Sequence, residues 1–353
     1  MVKIIITLSI FLQTTLLASS YWSIDEYLNL HPHQKDLMNQ FNTIVQSDAL
    51  PIDKDVKKVK ISMLYPGEQI TDYWRRSEIA FKARMDELQI PYELNAIFID
   101  ENDLNSLRNN LIQLLQLESD YLVFTLNIDG HKRLISQIIN NQKPKIILQN
   151  ITTPLIEWGD NQPFLYVGFD HLEGTKLLAS HIKKQFGKDT NYLMLYHNEG
   201  YVSQMRGDGF IDLVNDTHRL NGAFYTYVDK ELAKNIVLNY KNLDQIDYIY
   251  SCSTDIAIGA SEALEELGIK DQIFLNGWGG GDSELAMIED SSLDITVMRI
   301  NDDNAVAMAE AIKLDLLGFD VPTIYSGEFV IIDKDTDRQK IEKIKQRAFR
   351  YSQ

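Results

Sequence analysis

From about residue 57 onward, short continuous apolar runs alternate with longer segments in which apolar residues recur at helical spacing. The run "VKISMLYP" at 59–66 is typical of the first kind, and the leucine-rich segment 102–117 is typical of the second. Strands that are buried on both faces need continuous apolar runs, because a helix covers each face. The pattern therefore predicts an α/β fold that is built on parallel sheets.

About ten such strands exceed one ordinary sheet, so we expect two doubly wound lobes. Three hinge crossings between the lobes are predicted: in 148–163, at "NGWGGG", and in 318–329. The predicted division is a helical extension at 21–56, an N-terminal lobe at 57–150 and 282–320, and a C-terminal lobe at 151–281 and 321–353.

Residues 1–20 have the features of a secretory signal peptide. Lys3 precedes a mostly apolar stretch at 4–17, and the small residues Ala18, Ser19 and Ser20 follow it. A membrane anchor is the alternative, but the stretch is shorter than the ~20 apolar residues that a spanning helix needs. We therefore expect export to the periplasm, cleavage near Ser20 and no direct membrane insertion.

Composition narrows the possible partners. A net charge of −17 repels nucleic acid and anionic lipid, and it suits a protein that meets a small ligand or a protein partner. Cys252 is the single cysteine, so no internal disulfide can form. Its apolar neighbours predict a buried, unreactive thiol.

The glycine-rich stretch "FLNGWGGGDSE" at 274–284 invites comparison with a phosphate-binding loop. A dinucleotide fingerprint reads G-x-G-x-x-G, and counting from Gly277 its third glycine would fall at Asp282. A carboxylate there would repel a pyrophosphate, and Trp278 would crowd the backbone. The stretch therefore does not predict a nucleotide site.

Ligands of parallel α/β proteins bind at the carboxyl ends of the strands. Polar and aromatic residues collect after the predicted strands, and they form the predicted ligand site. The residues are Gln69, Thr71, Trp74, Asn150, Arg206, Thr254, Asp255, Trp278 and Arg299.

This set indicates the chemistry of the ligand. Two indoles offer flat apolar faces, and the amides and hydroxyls suit a polyhydroxylated ring. Arg206 and Arg299 are the sharper indication, because only Asp255 could offset their charge, and charge-assisted hydrogen bonds are worth roughly 1.5–3 kcal/mol each. The set predicts a small, oxygen-rich ligand with a negative charge.

Structural roles are open alternatives for several of these residues. Trp74 could be a core residue, and Arg206 could pair with Asp208 at the surface. Arg299 could form a salt bridge to Asp302 or Asp303. Thr254 and Asp255 could begin a helix, a role that does not exclude ligand contact.

No catalytic, metal or nucleotide motif is visible, so we do not expect an enzyme or a cofactor. The chain has no G-x-S-x-G, no H-E-x-x-H and no P-loop. His31 and His33 lie close together, but no third ligand is identifiable, so a solvated loop is expected there.

Several motifs together resemble a known family. The chain looks like a type I periplasmic binding protein. From about residue 21 to the C-terminus it closely resembles the LuxP-type receptor for autoinducer-2, a furanosyl quorum-sensing signal. The motifs are "YPGEQITDYW", "LQNITTP", "FLYVGFDHLEGT", "EGYVSQMRGD", "CSTDIAIGA", "NGWGGG", "DITVMRINDD" and "KQRAFRYS".

The resemblance implies a ligand, its contacts and a partner. The ligand would be the autoinducer-2 borate diester, a monoanion held between the lobes, so that boron enters only as part of the ligand. Arg206 and Arg299 match the arginines that neutralise the borate. The partner would be the periplasmic domain of a LuxQ-type sensor histidine kinase. The other contacts that the resemblance implies are Gln69, Thr71, Trp74, Asn150, Thr254, Asp255 and Trp278.

Two positions depart from the family pattern. Position 71 commonly carries Ser, whereas this chain has Thr71, whose extra methyl could change the fit of the ligand. Glu68 adds negative charge near the mouth of the pocket, although strand-end geometry suggests that it points away.

Three other functions share parts of this pattern. A sugar-binding protein of an ABC importer would have the same fold and export signal, and it is the main alternative. A periplasmic enzyme is a second. A related DNA-binding repressor is disfavoured, because an export signal stands where a basic helix-turn-helix would be.

Overall fold

The computed structural model describes residues 20–67, 70, 72–100, 103–125, 129–140 and 143–353. Residues 1–19 lie outside this part, and so does nearly all of the predicted signal peptide. The strands are β1 (Val59–Pro66), β2 (Tyr92–Ile99), β3 (Tyr121–Thr125), β4 (Lys145–Gln149), β5 (Leu165–Phe169), β6 (Thr190–Tyr196), β7 (His218–Tyr225), β8 (Tyr248–Ser251), β9 (Phe274–Gly279), β10 (Ile295–Arg299), β11 (Ile324–Gly327) and β12 (Phe329–Asp333).

Helices connect most of these strands. Several begin at an aspartate or serine whose side chain accepts hydrogen bonds from the first turn, as Asp170 does from the backbone of Leu172 and Glu173. The helices are α1 (Ile24–Leu30), α2 (Pro32–Gln46), α3 (Tyr73–Glu87), α4 (Leu104–Gln116), α5 (Asp129–Ile139), α6 (His171–Gln185), α7 (Tyr201–Ser203), α8 (Gly209–Val214), α9 (Lys230–Leu238), α10 (Thr254–Glu266), α11 (Asp282–Glu289), α12 (Asp302–Leu317) and α13 (Arg338–Ala348).

The strands form two sheets of six strands each within the described residues. The first sheet has the order β11-β5-β4-β3-β1-β2, and all its neighbours are parallel. The second has the order β12-β10-β9-β8-β6-β7, in which only β12 runs antiparallel to its neighbour. The predicted α/β fold with two parallel-sheet lobes is confirmed.

Burial explains why these runs form strands. Every residue of β3, β5, β8 and β10 is buried, because helices cover both faces of each sheet. The outer strands β2 and β7 are the least buried, with exposed or half-buried residues at most positions. Hydrophobic clusters lie in the second lobe and on both faces of the first sheet.

Strand pairing corrects the predicted lobe boundaries. The sequence predicts β5 and β11 in the C-terminal lobe, but both belong to the first sheet, where β5 pairs with β4 and β11 pairs with β5. The sequence predicts β10 in the N-terminal lobe, but β10 pairs with β9 in the second sheet. The crossings therefore follow β5, β10 and β11, later in the chain than the predicted boundaries at 150, 281 and 320.

The N-terminal extension packs against the first lobe. α1 and α2 occupy most of 21–56, and Phe41 and Val45 of α2 are buried in the same cluster as α12. The segment before α1 pairs with the chain after β4, through the bridge of Tyr21 and Leu155. None of the helices in the described part of the chain is both long and apolar enough to cross a membrane.

Candidate functional site

A cleft at the carboxyl ends of the strands brings together most of the predicted site residues. Its empty space is about 420 Å³, a volume that includes space open to solvent. Gln69 and Thr71 lie outside the described residues, as does Glu68. The other seven predicted residues all line this cleft, which places them together but does not test their binding role. The lining residues are Tyr73, Trp74, Asn150, His197, Val202, Arg206, Val228, Ser253, Thr254, Asp255, Trp278 and Arg299.

Element ends position these side chains. Trp74 lies in the first turn of α3, and Asn150 directly follows β4 with a left-handed φ of 67°, a conformation that Asn tolerates well. Trp278 belongs to β9, and Arg299 ends β10. Arg206 lies in the π-helical turn Gln204–Asp208, and such turns occur often at functional sites.

Arg206 is buried deep in the cleft, with 4% of its surface exposed. Its guanidinium carbon lies 3.6 Å from the centre of the Trp278 ring. Its Nε donates to His171 Nδ1 (2.9 Å), and its Nη1 donates to the carbonyl oxygen of Cys252 (2.8 Å). Burial, followed by the charge of Arg299, lowers the pKa of Arg206 to about 9, so the group remains a cation at neutral pH.

The structure does not adopt the alternative in which Arg206 pairs with Asp208. Asp208 instead accepts a hydrogen bond from the hydroxyl of Tyr196 (2.5 Å). The only cysteine, Cys252, has a buried side chain whose pKa burial raises to about 12, as expected for an unreactive thiol.

Arg299 is the second buried cation of the cleft. Its guanidinium carbon lies 4.2 Å from the ring centre of Tyr73, and its Nε has no hydrogen-bond partner among the described residues. The proposed pairs with Asp302 and Asp303 do not form, because Asp302 accepts from Ser352 and Asp303 pairs with Arg350. Burial lowers the pKa of Arg299.

His171 was not predicted as a site residue, yet its ring connects three parts of the cleft. Nδ1 accepts from Arg206, so the neutral ring carries its proton on Nε2, which donates to the carbonyl of Asn150 (3.1 Å). The ring also stacks on Trp278 at 5.5 Å. Burial, and then the charges of Arg206 and Arg299, keep the pKa of His171 well below its usual value.

Glu284 is a second residue that the sequence reasoning missed, and it explains the glycine run. Its buried carboxylate accepts from the backbone N–H groups of Trp278 (2.9 Å) and Gly280 (2.7 Å). A Cβ at Gly277 would lie 2.6 Å from the Glu284 carboxyl carbon, and Gly280 has a φ of 69°. The glycines therefore let the chain wrap around a carboxylate, which fixes the position of Trp278.

The start of α10 brings the two lobes into contact. Asp255 Oδ1 accepts from the backbone N–H of Ile70 (2.7 Å), which belongs to the connection after β1 in the first lobe. Ser253 precedes the helix, and its hydroxyl has no hydrogen-bond partner among the described residues. Thr254 and Asp255 do begin a helix, as the alternative interpretation expected, and they also line the cleft.

The electrostatics of the cleft favour an anionic or oxygen-rich occupant. Within the described residues, no carboxylate lies within ion-pairing distance of Arg206 or Arg299. The positive end of α10 faces the same space. The described part of the chain holds no group of three or more His, Cys, Asp or Glu side chains that could bind a metal ion.

A comparison with protein families identifies the class of this fold. A family model described as a periplasmic binding protein domain matches residues 61–318. The chain belongs to the periplasmic binding protein family.

Several solved structures of binding proteins share the fold. A glucose-galactose binding protein from Geobacillus stearothermophilus matches with a TM-score of 0.69 and 19% identity, over 80% of this chain and 100% of its own. An ABC transporter solute-binding protein from Agrobacterium vitis with bound D-fucose matches with a TM-score of 0.72 and 14% identity, over 80% of this chain and 98% of its own. A galactofuranose-binding protein has a TM-score of 0.70 and 15% identity, over 82% of this chain and 99% of its own.

The cleft of this periplasmic binding protein also contains residues that the sequence reasoning did not select. His197 follows β6, so the strand-end rule could have identified it. Tyr73 is adjacent to Trp74 at the start of α3. Val202 and Val228 are apolar, and no polar signal marked them.

Proposed function

We propose that this periplasmic binding protein holds a small, polyhydroxylated and negatively charged ring between its lobes. The observation that carries the proposal is the pair Arg206 and Arg299, buried in one cleft without an ion pair to any described carboxylate. Burying two cations is costly unless an anion or many hydrogen bonds compensate them. A bound monoanion supplies that compensation.

The specific ligand that we propose is the autoinducer-2 borate diester. The charge of the cleft and the resemblance to LuxP-type receptors support it. In this proposal Trp74 and Trp278 contact the faces of the ring, and the two arginines neutralise the borate. The remaining polar contacts would come from Gln69, Thr71, Asn150, Thr254 and Asp255.

The same proposal makes the protein a receptor rather than an enzyme. Ligand would stabilise the closed arrangement of the lobes, and a LuxQ-type sensor kinase would respond to that arrangement in the periplasm. Export through the signal peptide at 1–20 belongs to this proposal.

A neutral sugar bound for an ABC importer is the second candidate. The comparisons favour it directly, because the matched solved structures are proteins of sugar transport or sugar binding. Their identity to this chain is 14–19%, a level that supports the shared fold rather than a shared ligand. Indole faces and hydroxyl partners would serve a sugar as well as a borate ester.

Calorimetry with three ligands distinguishes the two candidates. Autoinducer-2 would be titrated with and without boric acid, alongside D-ribose and D-galactose. We expect tight binding only with boric acid, and Arg206→Met and Arg299→Met should each weaken it by roughly a hundredfold, as for loss of a charge-assisted hydrogen bond.

Arg219→Met is the matched control, because Arg219 is exposed and pairs only with Asp189 among the described residues. Tight binding of a sugar that needs neither boric acid nor the two arginines would overturn the anion proposal and support the importer candidate. Boron NMR and mass spectrometry of ligand released from protein purified out of a producing culture would identify the natural ligand.

A further inference from the structure

One wall of the cleft is formed by residues outside the predicted set. His197, directly after β6, and Val228, shortly after β7, both line the cleft. In the second sheet β6 and β7 lie at the opposite end from β10 and β12, the strands next to the crossings. This wall therefore lies on the far side of the cleft from Arg299.

The backbone at Val228 has an unfavourable conformation. Tyr227 and Val228 have φ values of 54° and 61°, which place two successive residues in the left-handed region. A β-branched residue in this region is a true outlier, because its Cβ crowds the backbone. Such strain persists only where the surrounding structure enforces it, and it often marks a binding site.

The surroundings of this turn explain how the strain is maintained. The hydroxyl and the backbone N–H of Thr226 both donate to the carbonyl of Tyr196 (2.8 and 3.1 Å). At the other end, the N–H of Asp229 donates to the carbonyl of Thr226 (2.9 Å), and the Asp229 carboxylate caps α9. The turn is thus fixed on both sides, with Tyr227 exposed and Val228 at the cleft.

His197 offers hydrogen bonds on the same wall. The side chain is buried, and burial together with the charge of Arg206 lowers the pKa of its imidazole to about 3. The imidazole lines the cleft, within reach of the charge of Arg206. A neutral imidazole has one donor and one acceptor, so it can both donate to a ring hydroxyl and accept from one.

We propose that His197 and Val228 form a specificity wall that recognises an uncharged part of the bound ring. The imidazole hydrogen-bonds to a ring hydroxyl, and the methyl groups of Val228 pack against ring carbons. This inference rests on one part of the proposed function, namely that the cleft binds a polyhydroxylated ring. The charge of the ring does not enter it.

The test combines thermal stability with affinity for two probes. The first is autoinducer-2 with boric acid. The second is D-ribose, a neutral ring that the proposed function expects to bind only weakly and that is therefore titrated at high concentration. Val228→Gly removes both the strain and the apolar contact. We expect it to raise the midpoint of thermal unfolding and to weaken the binding of either probe by about tenfold, as for loss of a small apolar contact. A residue with a purely structural role would not combine higher stability with weaker binding.

His197 variants test the other half of the wall. His197→Phe keeps an aromatic ring but no hydrogen-bonding group, so it should weaken the binding of either probe by about tenfold. His197→Gln retains a donor and an acceptor, so it should recover part of the lost affinity. Unchanged affinity in both Val228→Gly and His197→Phe would overturn the wall, whatever the change in unfolding temperature.

Arg206→Met separates this inference from the proposed function. If that variant weakens only the borate ester while the wall variants weaken both probes, both proposals stand. If Arg206→Met weakens the binding of the two probes equally while the wall variants also weaken both, the charge proposal fails and the wall stands. If the wall variants alone have no effect, the wall fails and the charge proposal stands.

Discussion

At the scale of single residues, the cleft depends on how its two cations are held. Arg206 donates to a neutral imidazole and a carbonyl, and it stacks on Trp278, so its charge is fixed in place without being neutralised. Its pKa of about 9 still leaves it protonated at neutral pH. The cleft therefore presents a permanent positive charge to a ligand.

His171 should be the residue that keeps Arg206 in place. His171→Phe retains an aromatic ring but removes the acceptor of the Arg206 Nε–H and the donor to the Asn150 carbonyl. Each buried group left without a partner costs about 1–3 kcal/mol, so we expect lower stability in urea and weaker ligand binding.

His171→Gln is the conservative comparison for this prediction. A glutamine oxygen can accept from Arg206 and its amide can donate to Asn150, so part of both losses should be recovered. Equal affinity in His171→Phe and the unchanged protein would show that Arg206 does not need this support.

At the scale of elements, the connection from β9 to α11 is organised by one carboxylate. Glu284, in α11, also accepts from the hydroxyl of Thr296 in β10. The glycines of the connection allow the backbone to approach this carboxylate closely. The segment that carries Trp278 is thus anchored to two neighbouring elements.

Gly277→Ala tests this organisation. The added Cβ would lie 2.6–2.8 Å from the Glu284 carboxylate, so we expect a loss of about 1–3 kcal/mol in the free energy of unfolding, measured in urea. Gly187→Ala is the matched control, since no atom lies within 4 Å of a Cβ built there. Equal stability of the two variants would contradict the packing argument.

The elements also show what the sequence could predict. The strand-end rule placed Asn150 and Arg299 correctly at the cleft, because the ends of parallel strands meet at one edge. It could not assign β5 and β10 to their sheets, since both are continuous apolar runs that either sheet could bury. Glu284 was missed because its role depends on a backbone folded around it.

At the scale of the whole molecule, the C-terminal segment connects the two lobes a further time. Phe349, just after α13, packs in the core of the second lobe. Beyond it, Tyr351 and Ser352 donate to the carboxylate of Asp302 at the start of α12, which packs in the first lobe (2.6–3.0 Å). The tail therefore spans the hinge, as the three crossings do.

Removing residues 350–353 should loosen the hinge. The deletion eliminates three hydrogen bonds to Asp302 and the ion pair of Arg350 with Asp303, and hydrogen bonds to a charged group are worth about 1.5–3 kcal/mol each. In the absence of ligand, we expect the deletion variant to have a larger radius of gyration than the full chain, as measured by X-ray scattering. Affinity should fall because more binding energy is then used to close the lobes.

Deletion of Gln353 alone is the control for chain shortening, because this residue is exposed and has no hydrogen bond to the described part of the chain. The two deletions should differ both in radius and in affinity, and ligand should bring their radii together. If removal of 350–353 leaves the unliganded radius unchanged, the three crossings alone determine the lobe arrangement. The tail would then contribute to stability without influencing closure.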